Sequence, residues 1–356
     1  MIDRCDTSCS RPNDRSCLVP RGRAFDLVHQ LDHRASAVVA PPRGSETATF
    51  ARKVFSPLFD QATSLRWRRF AGVAYLLLAV ATVSTLLGDE PAVIPKEASK
   101  VRLTIPSRPL NAVGGAQFQR LIAELPRGQR EAAVLREVTV GNVPDFLRRL
   151  KPIQVEASDD SGAKSVAIIF VMPDVLAVGS DDDFFRAPMT PHTATTIADQ
   201  FAATLLTTKV SDDLFAAAEV KLDPKPLTKD RDAVATFWQH HQIIEQQLLG
   251  KTREQLVVGH KKDVVLSNRL KEKPHRVAIY GWHYPSGKPI QPLYVGHSEW
   301  HVDYSHGIRL MSQQVFVDGQ PRTVADVLND RQLCRLLSNE GPIDVADVLK
   351  AAGWRR

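Results

Sequence analysis

Cysteine is scarce in this sequence and nearly confined to its first residues. The chain of 356 residues holds four cysteines, and Cys5, Cys9 and Cys17 account for three of them. Only Cys334 is left in the remainder, which excludes an intramolecular disulfide there. A body of roughly 260 residues can bury enough apolar surface to fold without one. Cys334 lies among leucines at helical spacing, so we predict that it packs in the core and is not a nucleophile.

Charged side chains are absent from Phe70 to Gly88. The string RWRR at 66–69 precedes this apolar run, and Asp89 and Glu90 follow it. Cations before an apolar run of about 20 residues are typical of export signals and of N-terminal membrane anchors, because the cationic end stays in the cytoplasm. We therefore predict that the protein is exported, and that it is periplasmic or membrane-anchored facing the periplasm.

These features divide the chain into four predicted segments. Residues 1–65 are rich in Arg, Ser and Pro and have no apolar periodicity, so we predict that they are disordered or precede the true start. Residues 66–90 are the predicted signal peptide or N-terminal membrane anchor. Residues 91–100 are a predicted linker, and residues 101–356 are a predicted exported α+β domain.

The positive net charge gives no reason to expect a nucleic-acid partner. Residues 1–69 hold 12 Lys and Arg against 7 Asp and Glu, a net charge of +5 out of the chain's +6. The remaining residues therefore carry a net charge of only +1, and the basic excess lies outside the predicted domain. We predict no nucleic-acid partner, and membrane contact only through the N-terminal segment.

Apolar periodicity predicts helices in the first part of the domain. Apolar residues recur at helical spacing in two stretches between 116 and 138. Thr190 can cap a further helix, and Pro191 suits its first helical position. The four-residue apolar spacing predicts that this helix runs through Leu205, and Ser211 can cap the next one.

Strand patterns dominate the last part of the domain. The strings PIQVEAS and SVAIIFVM, within 152–172, predict a hairpin, and VLAVGS at 175–180 predicts a third strand. From Leu256 onward the pattern is mainly that of strands, with a hairpin turn at Asp318 and Gly319. The predicted fold class is α+β, with a helical first part and a mostly antiparallel sheet in the C-terminal part.

Aromatic residues and histidines cluster in one part of the domain. Four of the five tyrosines and two of the five tryptophans lie between 280 and 304, and five of the eleven histidines lie between 275 and 306. Aromatic surfaces with groups that exchange protons near neutral pH suit a cleft for a sugar or a peptide. We therefore predict a site within 260–309. The predicted catalytic residues are His306, Asp303, Ser305 and His283, and the predicted substrate-binding residues are Arg309, His297, Trp282, Trp300 and Tyr304.

The backbone conformation of the string HVDYSHG determines which of these side chains lie on the same face. In an extended strand, His301, Asp303 and Ser305 share one face, and His306 points to the other. Gly307 would permit a turn that brings His306 back to the same side. Arg309 would then pair with Asp303 or receive an anionic group of the substrate.

Three chemistries fit these residue types. Asp303 could orient a histidine that activates Ser305 for acyl transfer, or could pair with one of Asp181, Asp182 and Asp183 in glycoside hydrolysis. Zinc is the third possibility, although no pair of residues has the spacing of a known zinc motif. The cofactor therefore stays unknown, with these candidate zinc ligands: His260, Asp263, His297, His301 and His306.

Several strings resemble a family of uncharacterised exported bacterial proteins. They are AVGSDDDFFRAPMTP, GHKKDVVLSNRL, VAIYGWH and VDYSHGIRLM. The resemblance implies export and carries no established activity. We predict an exported hydrolase acting on cell-wall or other extracellular polymer. The alternative is a non-catalytic envelope protein that binds glycan or peptide on the same aromatic surface.

Overall fold

Residues 96–354 are described by a computed structural model. The predicted segments 1–65 and 66–90 lie outside the described residues. Within the predicted linker, Lys96–Lys100 forms a 3₁₀ helix whose Ala98 is buried against the domain. Within residues 96–354, no helix is long and apolar enough to cross a membrane.

Helices are the regular elements before β1, and further helices alternate with the strands after it. Short 3₁₀ helices also occur at Asp145–Arg148 and Leu333–Leu336. The α-helices among residues 96–354 are α1 (Gly115–Ile122), α2 (Arg127–Thr139), α3 (Pro191–Gln200), α4 (Thr208–Ala217), α5 (Val234–Gln247), α6 (Arg269–Glu272), α7 (Val324–Asn329) and α8 (Val345–Ala351).

The strands form one large sheet and two small ones. They are β1 (Lys151–Ser158), β2 (Lys164–Val171), β3 (Ala177–Gly179), β4 (Phe184–Arg186), β5 (Ala203–Thr207), β6 (Val220–Lys221), β7 (Val257–Val258), β8 (Lys262–Leu266), β9 (Ile279–His283), β10 (Pro289–Tyr294), β11 (His306–Gly307), β12 (Leu310–Ser312), β13 (Gln314–Val317) and β14 (Gln320–Thr323). The large sheet has ten strands in the order β10-β9-β8-β5-β12-β2-β13-β14, with β1 beside β2 and β11 beside β8. Only β5 and β11 pair with β8 in parallel, so the sheet is mostly antiparallel and the predicted fold class is confirmed.

The local signals in the sequence hold at several elements and fail at two. β1 and β2 form the predicted antiparallel hairpin, and Thr190 caps α3 by accepting a hydrogen bond from Thr193. Leu205 was placed in that helix and instead lies in β5, because the chain leaves the helix after residue 200. Ser211 is wrong as a cap, since Thr207 caps α4 and Ser211 lies inside it.

A buried ion-pair network connects β4 to α5. Arg186 is 1% exposed and donates to Asp174 through Nε (3.0 Å) and Nη2 (2.6 Å). Its Nη1 donates to Glu245 at 2.7 Å, and Arg253 reaches the same carboxylate from the surface at 2.5 Å. The two carboxylates offset the free-energy cost of desolvating the guanidinium, so Arg186 links Asp174, β4 and α5.

Candidate functional site

A tight turn at Asp303 shapes the centre of the site. The Oδ1 atom of Asp303 accepts hydrogen bonds from the backbone N–H of Ser305 (2.8 Å) and from its hydroxyl, and the backbone N–H of His306 donates to the Asp303 carbonyl at 3.1 Å. An aspartate that bonds its own backbone two residues on favours a turn over a strand. The string is therefore turned, and not extended, between Asp303 and His306.

The turn brings His301, Asp303 and His306 together. The Nε2 atom of His306 lies 3.9 Å from Oδ1 of Asp303, and Nε2 of His301 lies 4.0 Å from Oδ2. One donor atom from each of the three residues lies within 4.8 Å of the others. Two imidazoles and a carboxylate form a ligand set that zinc uses in enzymes.

Strand β11 fixes this cluster to the sheet. His306 pairs with Lys262 in the parallel β8–β11 ladder, and the backbone N–H of Lys262 donates to the Ser305 carbonyl at 2.7 Å. A Cβ on Gly307 would lie 2.7 Å from Val175 and 2.8 Å from the Lys261 side chain. Gly307 therefore permits close packing of β11, whereas the turn that we predicted for it lies earlier, between Asp303 and His306.

His306 is buried with unsatisfied hydrogen-bonding groups. Its side chain is 0% exposed, and neither ring nitrogen has a hydrogen-bond partner among residues 96–354. Buried polar atoms are nearly always paired, so a ring with two free nitrogens beside a carboxylate and a second imidazole indicates a ligand-binding role.

The protonation states in the cluster suit a metal ion. Burial lowers the pKa of His306 to about 3 and lowers the pKa of His301 in the same direction. Burial raises the pKa of Asp303, but the His306 ring and the hydrogen bonds from Ser305 and Arg231 outweigh burial and hold the pKa below its ordinary value. At neutral pH the cluster therefore presents neutral imidazoles and an ionised carboxylate, the forms that bind metals.

A cavity of about 620 Å³ opens above the cluster. His301 and Asp303 line it, and His297, which stacks on His301 with 3.9 Å between ring centroids, lines it too. Trp300 forms part of the wall and stacks on His192 at 4.0 Å. A cavity of this volume accommodates a small ligand or a few units of a polymer.

Four cations also line this cavity, namely Arg127, Arg130, Arg231 and Lys262. Arg231 donates to Oδ2 of Asp303 at 2.6 Å, in the place predicted for Arg309. None of the four was among the predicted site residues, although Lys262 lies within the predicted region 260–309. The three arginines lie outside that region, because Arg231 and Asp303 are 72 residues apart and α2 reaches the cavity only in the folded chain. The one available signal was the three-residue spacing of Arg127 and Arg130, which places both on one helix face.

Three of the predicted site residues lie elsewhere. Arg309 is buried and donates to the carbonyls of Met172 (2.8 Å) and Val257 (2.6 Å), so it neither pairs with Asp303 nor faces the large cavity. His283 bonds Asp212 at 2.8 Å. Gly281 (92°) and Trp282 (54°) have positive φ angles within β9, so side chains do not alternate regularly along the strand before His283. His283, Trp282 and Arg309 instead line a second, much smaller cavity.

Two further predicted residues are buried behind the cluster. Tyr304 is fully buried, and its hydroxyl bonds the backbone of Leu227. The Ser305 hydroxyl donates to Asp303 and not to a histidine, so the turn provides no Ser–His pair for acyl transfer. Ser305 therefore supports the position of Asp303.

The other predicted chemistries lack the required geometry. His260 bonds Asp174 at 2.8 Å, and Asp263 accepts from Ser211 at 2.6 Å, so neither joins the His301–Asp303–His306 cluster. Of the three candidate carboxylates Asp181, Asp182 and Asp183, two accept hydrogen bonds from the backbone. Asp181 accepts from the Phe146 backbone at 3.1 Å and Asp183 from the Ala116 backbone at 2.8 Å, and none of the three carboxylates lines the cavity. Of the chemistries predicted, metal binding is the one that this arrangement supports.

Comparisons with protein-family models, with curated proteins and with solved structures find no match to this chain. The family resemblance of its sequence strings therefore stays a prediction.

Proposed function

We propose that the protein is an exported zinc-dependent hydrolase that acts on cell-wall or other extracellular polymer. One observation carries the proposal: donor atoms of His301, Asp303 and His306 lie within 4.8 Å of one another beside a cavity of about 620 Å³, and both ring nitrogens of His306 are without a partner in the described chain. Three protein ligands leave one zinc position open, which is typical of catalytic zinc sites.

Bound zinc would lower the pKa of its water ligand to about 7 and so supply a nucleophile at neutral pH. The side chains have separate roles around it. Arg231 and Ser305 hold the Asp303 carboxylate in place through hydrogen bonds. Burial lowers the pKa of His297, so this imidazole is neutral at pH 7 and can form a hydrogen bond with the substrate on the cavity wall. Trp300 offers an apolar surface for the rest of the substrate.

The test is turnover of peptidoglycan fragments, with the products identified by mass spectrometry. We expect cleavage by the purified full-length protein, loss of cleavage with a chelator, and recovery when zinc is added back. His306→Gln removes a ligand and should lower turnover more than about 100-fold. His275→Gln is the matched control, because His275 is 71% exposed at its side chain and does not line the cavity.

Two outcomes would count against a hydrolase. Turnover that is insensitive to the chelator, or equal in His306→Gln and His275→Gln, would contradict the zinc site. Binding of the fragments without cleavage in zinc would instead favour the alternative, a non-catalytic glycan- or peptide-binding envelope protein.

A further inference from the structure

We infer that the cavity recognises the free carboxylate of a peptide through Lys262, Arg127 and Arg130. The position of the scissile bond rests on the proposed function. The substrate class is peptides, such as those of a cell-wall polymer, that are cleaved near an end with a free carboxylate.

The environment of Lys262 is the strongest support for an anion site. It is 8% exposed and lines the cavity, and its side chain forms no ion pair or hydrogen bond among residues 96–354. Its ammonium group lies 5.6 Å from the centre of the Trp282 ring, its one aromatic contact in the described chain. A lysine with so little of its side chain exposed is stabilised when an anion joins its ammonium group, and the cavity is the place from which an anion can come.

Arg127 and Arg130 provide guanidinium groups on the same cavity. They lie one turn apart at the start of α2, where the helix dipole also favours an anion. Arg127 donates to the Trp300 carbonyl at 3.3 Å, and Arg130 to the Asp232 carbonyl at 3.2 Å. Neither pairs with a carboxylate in the described residues, and Nε of Arg130 is buried without a partner there.

The net charge of the residues that line the cavity also favours an anion. Four cations and two carboxylates, Asp232 and Asp303, line the cavity. Arg231 already neutralises Asp303 at 2.6 Å, which leaves three cations against Asp232. A zinc ion would add further positive charge, so the cavity attracts an anion with or without the metal.

The ligand cluster favours a carboxylate over a phosphoryl group. Guanidinium groups bind both anions well. Phosphoryl-transfer enzymes often use two metal ions about 4 Å apart, whereas residues 96–354 contain a single cluster of three metal-ligating side chains. One zinc ion with its water suits hydrolysis of an amide next to an anchored carboxylate.

The experiment measures binding to the full-length protein in the presence of a chelator, by calorimetry. The probes are acetyl-Ala-Ala with a free carboxylate, the same peptide as its C-terminal amide, and inorganic phosphate. We expect the acid to bind at least about 10-fold more tightly than the amide, since a charge-assisted hydrogen bond is lost in the amide. We also expect the acid to bind more tightly than phosphate.

Two variants and one control locate the contact. Lys262→Met and Arg127→Gln should each weaken binding of the acid about 10-fold and leave binding of the amide unchanged. Arg127 is exposed, so its substitution tests the site even if Lys262→Met does not fold. Lys288→Met is the control, because Lys288 is an exposed lysine outside the cavity.

The inference is overturned if the acid and the amide bind equally, if phosphate binds more tightly than the acid, or if Arg127→Gln binds the acid as the wild type does. None of these measurements uses zinc or turnover. A protein that binds the acid selectively but cleaves nothing would therefore contradict the hydrolase proposal and support the anion site.

Discussion

Replacing Asp303 by Asn is expected to lower turnover more than about 100-fold while the protein stays folded. The carboxamide oxygen can still accept the hydrogen bonds from Ser305, so the turn persists. The negative charge that a zinc ion and Arg231 need is lost. The measurement is kcat/KM on peptidoglycan fragments together with the thermal unfolding temperature of each protein.

Ser305→Ala is the matched substitution, because it alters the other side of the same hydrogen bond. The backbone N–H of Ser305 still donates to Asp303, and the serine is not a ligand, so we expect turnover to fall less than about 10-fold. The opposite order, with Ser305→Ala inactive and Asp303→Asn active, would support a serine nucleophile and contradict the metal account.

Replacing Arg186 by Met is expected to lower the free energy of unfolding by about 3–5 kcal/mol, because it leaves the buried Asp174 carboxylate without its arginine partner. Asp174 loses two hydrogen bonds in that variant, and Glu245 loses one. Chemical denaturation monitored by tryptophan fluorescence measures the change.

Arg253→Met is the control for that experiment. Arg253 also pairs with Glu245, at 2.5 Å, but its side chain is 37% exposed. We expect a loss of about 0–1 kcal/mol, as for other partly exposed ion pairs. Equal losses in the two variants would show that the buried network has no special role in stability.

The parts of the fold that the sequence predicted are those decided by nearby residues. Thr190 and Pro191 mark the start of α3, and the turn at Asp318 and Gly319 joins β13 to β14. Leu205 was misplaced because its four-residue spacing continues the helical pattern, whereas its environment is a strand between β8 and β12. Such long-range pairing overrides local periodicity.

The sequence predicted which residue types lie in the candidate site, but not how their side chains are arranged. The histidine cluster drew attention to His301, Asp303 and His306, yet the period-two argument assumed a strand where Asp303 forms a turn. The contact with Asp303 was predicted for Arg309 and is made by Arg231, because nothing local distinguishes the arginine that reaches Asp303 from the one that binds the carbonyls of Met172 and Val257. Those contacts depend on chain segments far apart in sequence.

Zinc titration of the metal-free protein by calorimetry tests the central claim most directly. The account predicts one high-affinity zinc ion per wild-type chain, and affinity at least about 100-fold weaker in His306→Gln, since a buried ligand is lost. His275→Gln should bind as the wild type does. No zinc binding by the wild type, or the same affinity in His306→Gln, would contradict the account.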